Sequence, residues 1–337
     1  MSSWANRGIP RKRNLSQIPE GLRPTIITRA QRPEVILSES FQENEKQNEI
    51  IYPSGSEDST PDTNVYSRSY PIRKMEWNPA PNAIELRFLD KSYVFVILRN
   101  IRTTRDNELW MASYQSVRRF YTNQIIIIDD NSNINTVNGK LVNTEVIQSE
   151  YNGAGEVLPY YYFFTNKWAD RMVFLHDSMF LHRRFTDEEL SGSVRFHWHF
   201  SNTEIRNDRK IGTYLSMLQN PEELLEFVNQ PESAWNGCFG AASIIDLDIV
   251  MQLEEAYSFF STLVLSIKTR KDRETFERLF GIVLHYNNLI VEPFSNFGNI
   301  VHYPGAFESQ VTTPDQGAYA LSQKNYDTAI IKVWRGR

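Results

Sequence analysis

The chain has 337 residues, 41% hydrophobic and 13% aromatic, enough to bury a substantial core in one large domain or two smaller ones. Its 36 Lys and Arg against 41 Asp and Glu give a formal charge of −5. That balance argues against general affinity for DNA or RNA, which draws on clustered Lys and Arg to neutralise phosphates. A single cysteine, Cys238, excludes an internal disulfide framework and a thiolate metal cluster, and is expected as a buried small hydrophobe. No run approaches the roughly 18 apolar residues needed to span a bilayer, and MSSWANRGIPRKRN lacks the apolar centre of a secretory signal, so a cytoplasmic address is expected.

In chain order, residues 1–75 are rich in Pro, Ser, Asn, Gln and Glu and poor in periodic pattern, which predicts a largely disordered arm. Its charge is split. Residues 1–32 hold seven basic groups against Glu20, a net of +6, and residues 33–62 hold eight acids against Lys46, a net of −7. RGIPRKR is therefore either a solvated tail or a docking segment for an anionic partner, an acidic protein or lipid surface. TIITRAQRPEVIL is a candidate strand laid on the body.

From residue 84 the pattern changes. KSYVFVILRN (91–100) reads as a buried strand. DNELWMASYQSVRRFYT (106–122) places Trp110, Tyr114, Val117 and Tyr121 at helical spacing, with Asp106 or Asn107 as N-cap. QIIIIDDNSN follows, four isoleucines with no wet face, as in central strands of parallel sheets. Strand, helix and strand within about 30 residues make a βαβ unit with parallel neighbours. NTEVIQSE (143–150) is a third strand, a helix starts near Gly155 and runs through VLPYYYFFTNKWA, and RMVFLHDSMFL (171–181) is a fourth strand. SVRFHWHF (193–200) reads as a further strand, DRKIGTYLSML and PEELLEFVNQ as short helices, and TRKDRETFERLFGIVLHYNN as a strong helix. The fold class expected is α/β, a mainly parallel sheet flanked by helices.

Polar groups fall at successive strand ends: Arg99 and Asn100, then Asp129 and Asp130, then Glu150, then His176 and Asp177. Parallel strands set these on one edge, where ligands bind in open α/β sheets. One acid of the Asp129–Asp130 pair is expected to face a ligand and the other to cap the turn, with Asp130 slightly favoured for the ligand. Gly153 and Gly155 in EYNGAGEVLP lack the third glycine of a dinucleotide fingerprint; they read better as a close approach of backbone to a ligand or to the adjacent strand. An Asp in the apolar run FLHDSMFL is costly to bury unless paired, protonated or bound to metal, and His176 with Asp177 could offer a nitrogen and a carboxylate to Mn²⁺ or Mg²⁺.

His197 and His199 would share one strand face, a spacing that can chelate, although no acid or thiol lies close in sequence. The charged helix carries Arg270, Asp272, Arg273, Glu277 and Arg278. These either decorate a wet face with i,i+4 pairs such as Arg273 with Glu277, or supply a general base at Glu277 and an arginine clamp for phosphate. A nucleophile elbow, a P-loop and an HExxH motif are absent from the sequence.

The series YVFVILRN, amphipathic helix, QIIIIDDNSN, TEVIQSEYNGAGEVLPYYYFF, ADRMVFLHDSMFL resembles the nucleotide-sugar-binding half of GT-A fold glycosyltransferases, in the broad manner of family 2, over about residues 91–182. WNGCFGAASIID (235–246) and DRETFERLFG (272–281) resemble the acceptor-side loop and catalytic helix of such enzymes. After the arm (1–75), the resemblance implies a GT-A-like domain (76–337), with 84–182 binding donor and 183–337 binding acceptor. It implies that Asp129 or Asp130 holds the nucleoside, with Arg99, Asn100 and Gly155 beside it. Asp177 would be the survivor of a DxD-type motif whose flanking acids are replaced by His176 and Ser178. With one carboxylate left, either Asp177 and His176 hold a single Mn²⁺ or Mg²⁺, or Arg270 and Arg273 neutralise the diphosphate.

The activity so implied is inverting transfer of a sugar from a nucleotide donor to a carbohydrate or glycan hydroxyl, with Glu277 as base and Asp272 as its understudy. A non-catalytic binding or assembly protein on the same sheet is the main alternative, and a nucleotidyltransferase on a related sheet is another.

Overall fold

The computed structural model describes residues 82–202, 210–230, 235–305 and 311–333. The expected arm at 1–75, the strand expected in TIITRAQRPEVIL and the docking role of RGIPRKR lie outside the described residues.

The first half follows the apolar pattern closely. Strand β1 (Tyr93–Arg99) is buried at all seven positions and β2 (Ile125–Asp129) at all five. Consecutive side chains of a strand point to opposite faces, so an unbroken buried run means that both faces are covered. Each isoleucine of β2 is fully buried and contributes roughly 1.5–3 kcal/mol of apolar burial. Between them lies helix α1 (Thr104–Phe120), with Trp110, Tyr114 and Val117 buried along one stripe.

The N-cap of α1 is Thr103, not Asp106 or Asn107 as the pattern suggested. Thr103 Oγ1 accepts from Asp106 N at 3.2 Å, and Asp106 Oδ2 accepts from Thr103 N at 2.8 Å. Asp106 is thus the third residue of a capping box, a role that the first aspartate of a helix-start signal mimics in sequence.

Strand β3 (Thr144–Gln148) is a half-exposed edge, as its polar composition demands. After a single 3₁₀ turn, Gly155–Val157, comes α2 (Leu158–Asn166), followed by β4 (Arg171–His176). The fourth predicted strand breaks at Asp177 and Ser178 into β4 and a separate β5 (Met179–Leu181). The strand predicted over 193–200 also divides, into β6 (Val194–Phe196) and β7 (His199–Ser201), which belong to different sheets.

The remaining elements are helices α3 (Lys210–Leu215) and α4 (Glu222–Asn229), strands β8 (Asn236–Cys238) and β9 (Ser243–Asp246), helices α5 (Leu247–Tyr257), α6 (Phe259–Ser266), α7 (Arg270–Tyr286) and α8 (Pro314–Lys324), and strand β10 (Ile330–Lys332).

One six-stranded sheet has the order β3-β2-β1-β4-β9-β6. The first four strands are parallel, and β9 and β6 run antiparallel to their neighbours. Both sequence halves share this sheet, since β9 pairs with β4. Two ribbons stand apart, β5 with β10 and β7 with β8.

Register shows which helix covers which face. Phe95 is opposite Val173, and Val96 is opposite Phe174. Phe95 stacks on Tyr121 at the end of α1, at 5.2 Å between centroids, while Phe174 meets Tyr160 of α2 edge-on at 5.8 Å. Because Phe95 and Val96 point opposite ways, α1 and α2 lie on opposite faces. The sheet is therefore mixed, mainly parallel and covered on both sides, as expected. Among the described residues, no helix is long and apolar enough to cross a membrane.

Candidate functional site

Register also aligns the strand ends. Arg99 is level with Asp129, Leu98 with His176, and Asp129 with Gln148. Beyond this edge opens a cavity of about 910 Å³. Of the residues singled out from sequence, Arg99, Asn100, Asp130, Gly155, His176, Asp177, Arg270, Arg273 and Glu277 line it, whereas Asp129 and Asp272 do not.

The two acids of the IIIIDD run separate by role. Asp129 is fully buried; its Oδ2 accepts from Arg99 Nε at 2.5 Å and its Oδ1 from Ser132 N at 2.8 Å. Arg99 in turn lies over the Trp110 ring, 4.5 Å from the centroid. Asp129 therefore closes the turn after β2. Asp130 reaches the cavity wall, where Oδ1 accepts from Gly153 N at 2.6 Å and Oδ2 from Gly155 N at 3.2 Å. Burial raises the proton affinity of Asp130, against the pull of Gly153 N and the Arg273 charge.

Gly155 is fixed in place from the other side. Its φ is +53°, and a Cβ there would overlap Arg273 Cδ. Arg273 crosses it to donate from Nη1 to Gly153 O at 3.2 Å and to pair Nε with Glu156 Oε2 at 3.2 Å. The close neighbour of Gly155 is thus the Arg273 side chain of α7, and that of Gly153 is the carbonyl of Lys268 just before α7; neither is the adjacent strand. The i,i+4 pair on α7 is correspondingly Arg270 with Glu274, at 3.1 Å, and Arg273 is turned away from Glu277 to Glu156.

Asp272 is the capping-box acid of α7. Its Oδ2 accepts from Thr269 N at 2.8 Å, and Lys210 Nζ sits 2.6 Å from Oδ1. Burial opposes its ionisation, but the Lys210 ammonium and the Thr269 donors outweigh it and hold the carboxyl below the usual range. A carboxylate so deeply committed makes a poor proton acceptor.

Glu277, half-buried in the wall, is the opposite case. Burial first, and the charge of Glu156 second, push its carboxyl up to about 8, against Arg278 and a hydrogen bond from Gly240 N–H. Gly240 also accepts through its carbonyl from His176 Nε2 at 2.6 Å. Its φ is +61°, and a Cβ would stand 2.9 Å from that nitrogen. One peptide segment thus ties His176 at the sheet edge to Glu277 on the helix.

The donors offered to Mn²⁺ or Mg²⁺ do not fit such an ion. His176 Nε2 is spent on Gly240 O, Asp177 Oδ2 accepts from Asn100 N at 3.2 Å, and Ser178 Oγ accepts from Lys332 Nζ at 2.6 Å. A hard divalent cation asks for several oxygen donors, whereas this corner already holds an ammonium. Among the described residues, no group of three His, Cys, Asp or Glu side chains is placed to hold a metal. The second histidine pair does not form either. His197 is fully buried, donates Nε2–H to Phe174 O at 3.0 Å and is driven down to about 3 by burial, while His199 Nδ1 meets Ser295 Oγ at 2.7 Å. Cys238 is buried, as expected.

Sequence reasoning missed Glu156, Lys268, Gly240 and Lys332, all on the cavity wall, whereas Arg278, named on the charged helix, lines it too. Glu156 was within reach, one residue after the glycine turn. Lys332 carried no local signal, because its place depends on β10 returning to pair with β5.

No protein-family model matches the chain, and no curated protein sequence matches it. Solved structures do match it, among them the following three. Staphylococcus aureus TarS 1–349 matches at 11% identity over 56% of this chain and 55% of that one, about half its length, with a TM-score of 0.30. The galactosyltransferase LgtC, in complex with donor and acceptor sugar analogs, matches at 10% identity over 72% of this chain and 87% of that one, with a TM-score of 0.38. Core-mannan synthase A (CmsA/Ktr4) from Aspergillus fumigatus, in its Mn/GDP form, matches at 12% identity over 61% and 73%, with a TM-score of 0.36. The chain has an α/β fold, a mixed, mainly parallel sheet flanked by helices, with a crevice at the carboxyl ends of the parallel strands.

Proposed function

We propose that the cavity takes the diphosphate of a nucleotide sugar and that the chain transfers the sugar to an acceptor hydroxyl, with inversion. The observation that carries this reading is that Lys268, Arg270, Arg273 and Lys332 line one cavity together with Glu277. Cations gathered at the carboxyl edge of a sheet suit an anion, and arginine suits the oxygens of phosphate. A carboxyl whose proton affinity is tuned near neutrality suits general-base work.

In this reading Glu277 removes the proton of the acceptor hydroxyl as its oxygen attacks the anomeric carbon. The bond from that carbon to the diphosphate oxygen breaks on the opposite side, and the negative charge of the departing diphosphate meets the cationic wall. Asn100 and Asp130 line the end nearest β1 and β2 and would bound the nucleoside. The apolar side chains of Phe200, Phe239, Ile300 and Val301 supply the remaining wall, where a carbohydrate or glycan acceptor would lie. Residues 84–182 would then bound the nucleoside, and 183–337 would supply the cations for the diphosphate, the acceptor wall and the base. No step is assigned to a divalent ion.

Calorimetric titration with UDP and with GDP tests the reading, followed by a screen of nucleotide sugars for transfer. Micromolar to submillimolar binding of one nucleoside diphosphate is expected. Absence of binding by either would sink the proposal.

A further inference from the structure

The end of β4 and the turn to β5 place His176, Asp177 and Ser178 on the cavity wall, where the sequence suggested a cation site. A cation already stands there, and it belongs to the protein. Lys332 Nζ lies 2.6 Å from Ser178 Oγ, and Lys332 lines the same cavity as Arg273 and Glu277.

The root of that side chain is fixed on both flanks. Lys332 is in register with Met179 across the β5–β10 ribbon, and Val333 N donates to Ser178 O at 3.1 Å. The backbone of Lys332 is clamped by one buried phenol: its N–H donates to Tyr303 Oη at 2.8 Å, and Tyr303 Oη–H donates to its carbonyl at 3.1 Å. An ammonium on so constrained a stem is a preorganised charge, delivered to one point at little cost in side-chain entropy. The same charge repels a divalent ion from the turn, in agreement with the poor donor set described above.

We propose that Lys332, positioned by Ser178, takes the part of a divalent cation and receives the diphosphate of the donor together with Arg273. This inference rests on the nucleotide-sugar reading of the cavity. The replacement of a DxD acid by Ser178 is then functional: a hydroxyl can accept from an ammonium without neutralising it, whereas a carboxylate would cancel the charge that the phosphate needs.

Binding of UDP, GDP, UMP and GMP, measured by calorimetry with EDTA and again with Mn²⁺, tests the proposal. The wild-type chain should bind a diphosphate in EDTA within about threefold of its affinity in Mn²⁺, and Lys332→Gln should weaken that binding by about tenfold or more while changing the monophosphate little. Lys332→Gln removes the charge but keeps a polar, one-atom-shorter side chain on the same backbone, so a fold-wide effect would weaken both ligands alike. Lys332→Arg should restore much of the difference. Ser178→Ala should fall between wild type and Lys332→Gln.

Diphosphate binding that vanishes in EDTA, or is unaltered in Lys332→Gln, overturns this inference and leaves the nucleotide-sugar reading standing. The comparison of wild type in EDTA and Mn²⁺ needs no variant to fold. Failure of every nucleotide to bind wild type overturns both.

Discussion

Arg273 lies across Gly155 so closely that a single added methyl would displace it, and in that position it holds the carbonyl of Gly153 and the carboxylate of Glu156 together. The glycine turn, the 3₁₀ turn after it and helix α7 are thereby made into one wall. Gly155→Ala should cost about 1–2 kcal/mol of stability from the positive φ alone, and should also push Arg273 out of line. Weaker nucleotide binding by calorimetry, beyond what the loss in urea unfolding explains, is the expected result.

Glu277→Gln separates binding from chemistry. The amide keeps the size of the carboxyl, and its oxygen can still accept from Gly240 N–H, so the fold and the cationic wall should remain. Transfer should fall by about 100-fold or more while UDP or GDP binds within a few-fold of wild type. Unchanged turnover would remove Glu277 from the mechanism. For the wild type, kcat/KM should rise with pH and level off above about 8, where the carboxylate form dominates.

The same residue makes stability depend on pH. A carboxyl whose folded-state affinity is raised from 4.5 to about 8 binds its proton more tightly when folded. Its contribution is therefore present at low pH and is lost as pH rises from about 4.5 through about 8. Glu277→Gln, which mimics the protonated form, should gain on the wild type as pH rises, by on the order of 2–4 kcal/mol near pH 8.5.

His197 acts in the opposite direction. Driven down to about 3 by burial, it costs stability as pH falls below about 6.5. Urea midpoints across that range check both signs.

Asp129 has no place on the cavity wall, yet it is the acid whose loss should hurt folding most. Removing it leaves the Arg99 guanidinium buried without its partner, which costs about 3–5 kcal/mol. Asp129→Ala should therefore lower the urea midpoint far more than Asp130→Ala. Replacing both Arg99 and Asp129 by apolar residues should recover much of that loss, as a double-mutant cycle would show.

Much of this was legible in the chain itself. Runs such as YVFVILR and IIIID have a single reading once length is considered, because only a strand covered on both faces can hide every residue. The carboxyl edge followed from that, and with it Asn100, Asp130 and Asp177. Finer assignments failed where two roles share one residue type. The capping-box role of Asp272 went unread, because an acid in the first turn of a helix can serve as a cap or stand as a base, and sequence alone does not separate the two. A strand that changes sheet at His197 keeps the same β-rich composition on both sides of the break. Lys332 was invisible, since it gains its place only through β10, roughly 150 residues along the chain from its partner Ser178.

Among the described strands, β10 pairs only with β5, through three residue pairs, and neither belongs to the six-stranded sheet. The charge opposite α7 thus rides on a light ribbon and not on the slab that carries Arg99 and Asp130. An anion spanning Lys332 and Arg273 would staple that ribbon to the helix. Occupancy would then register as stiffness along Ile330–Lys332, seen in slowed amide exchange, while the backbone itself hardly moves.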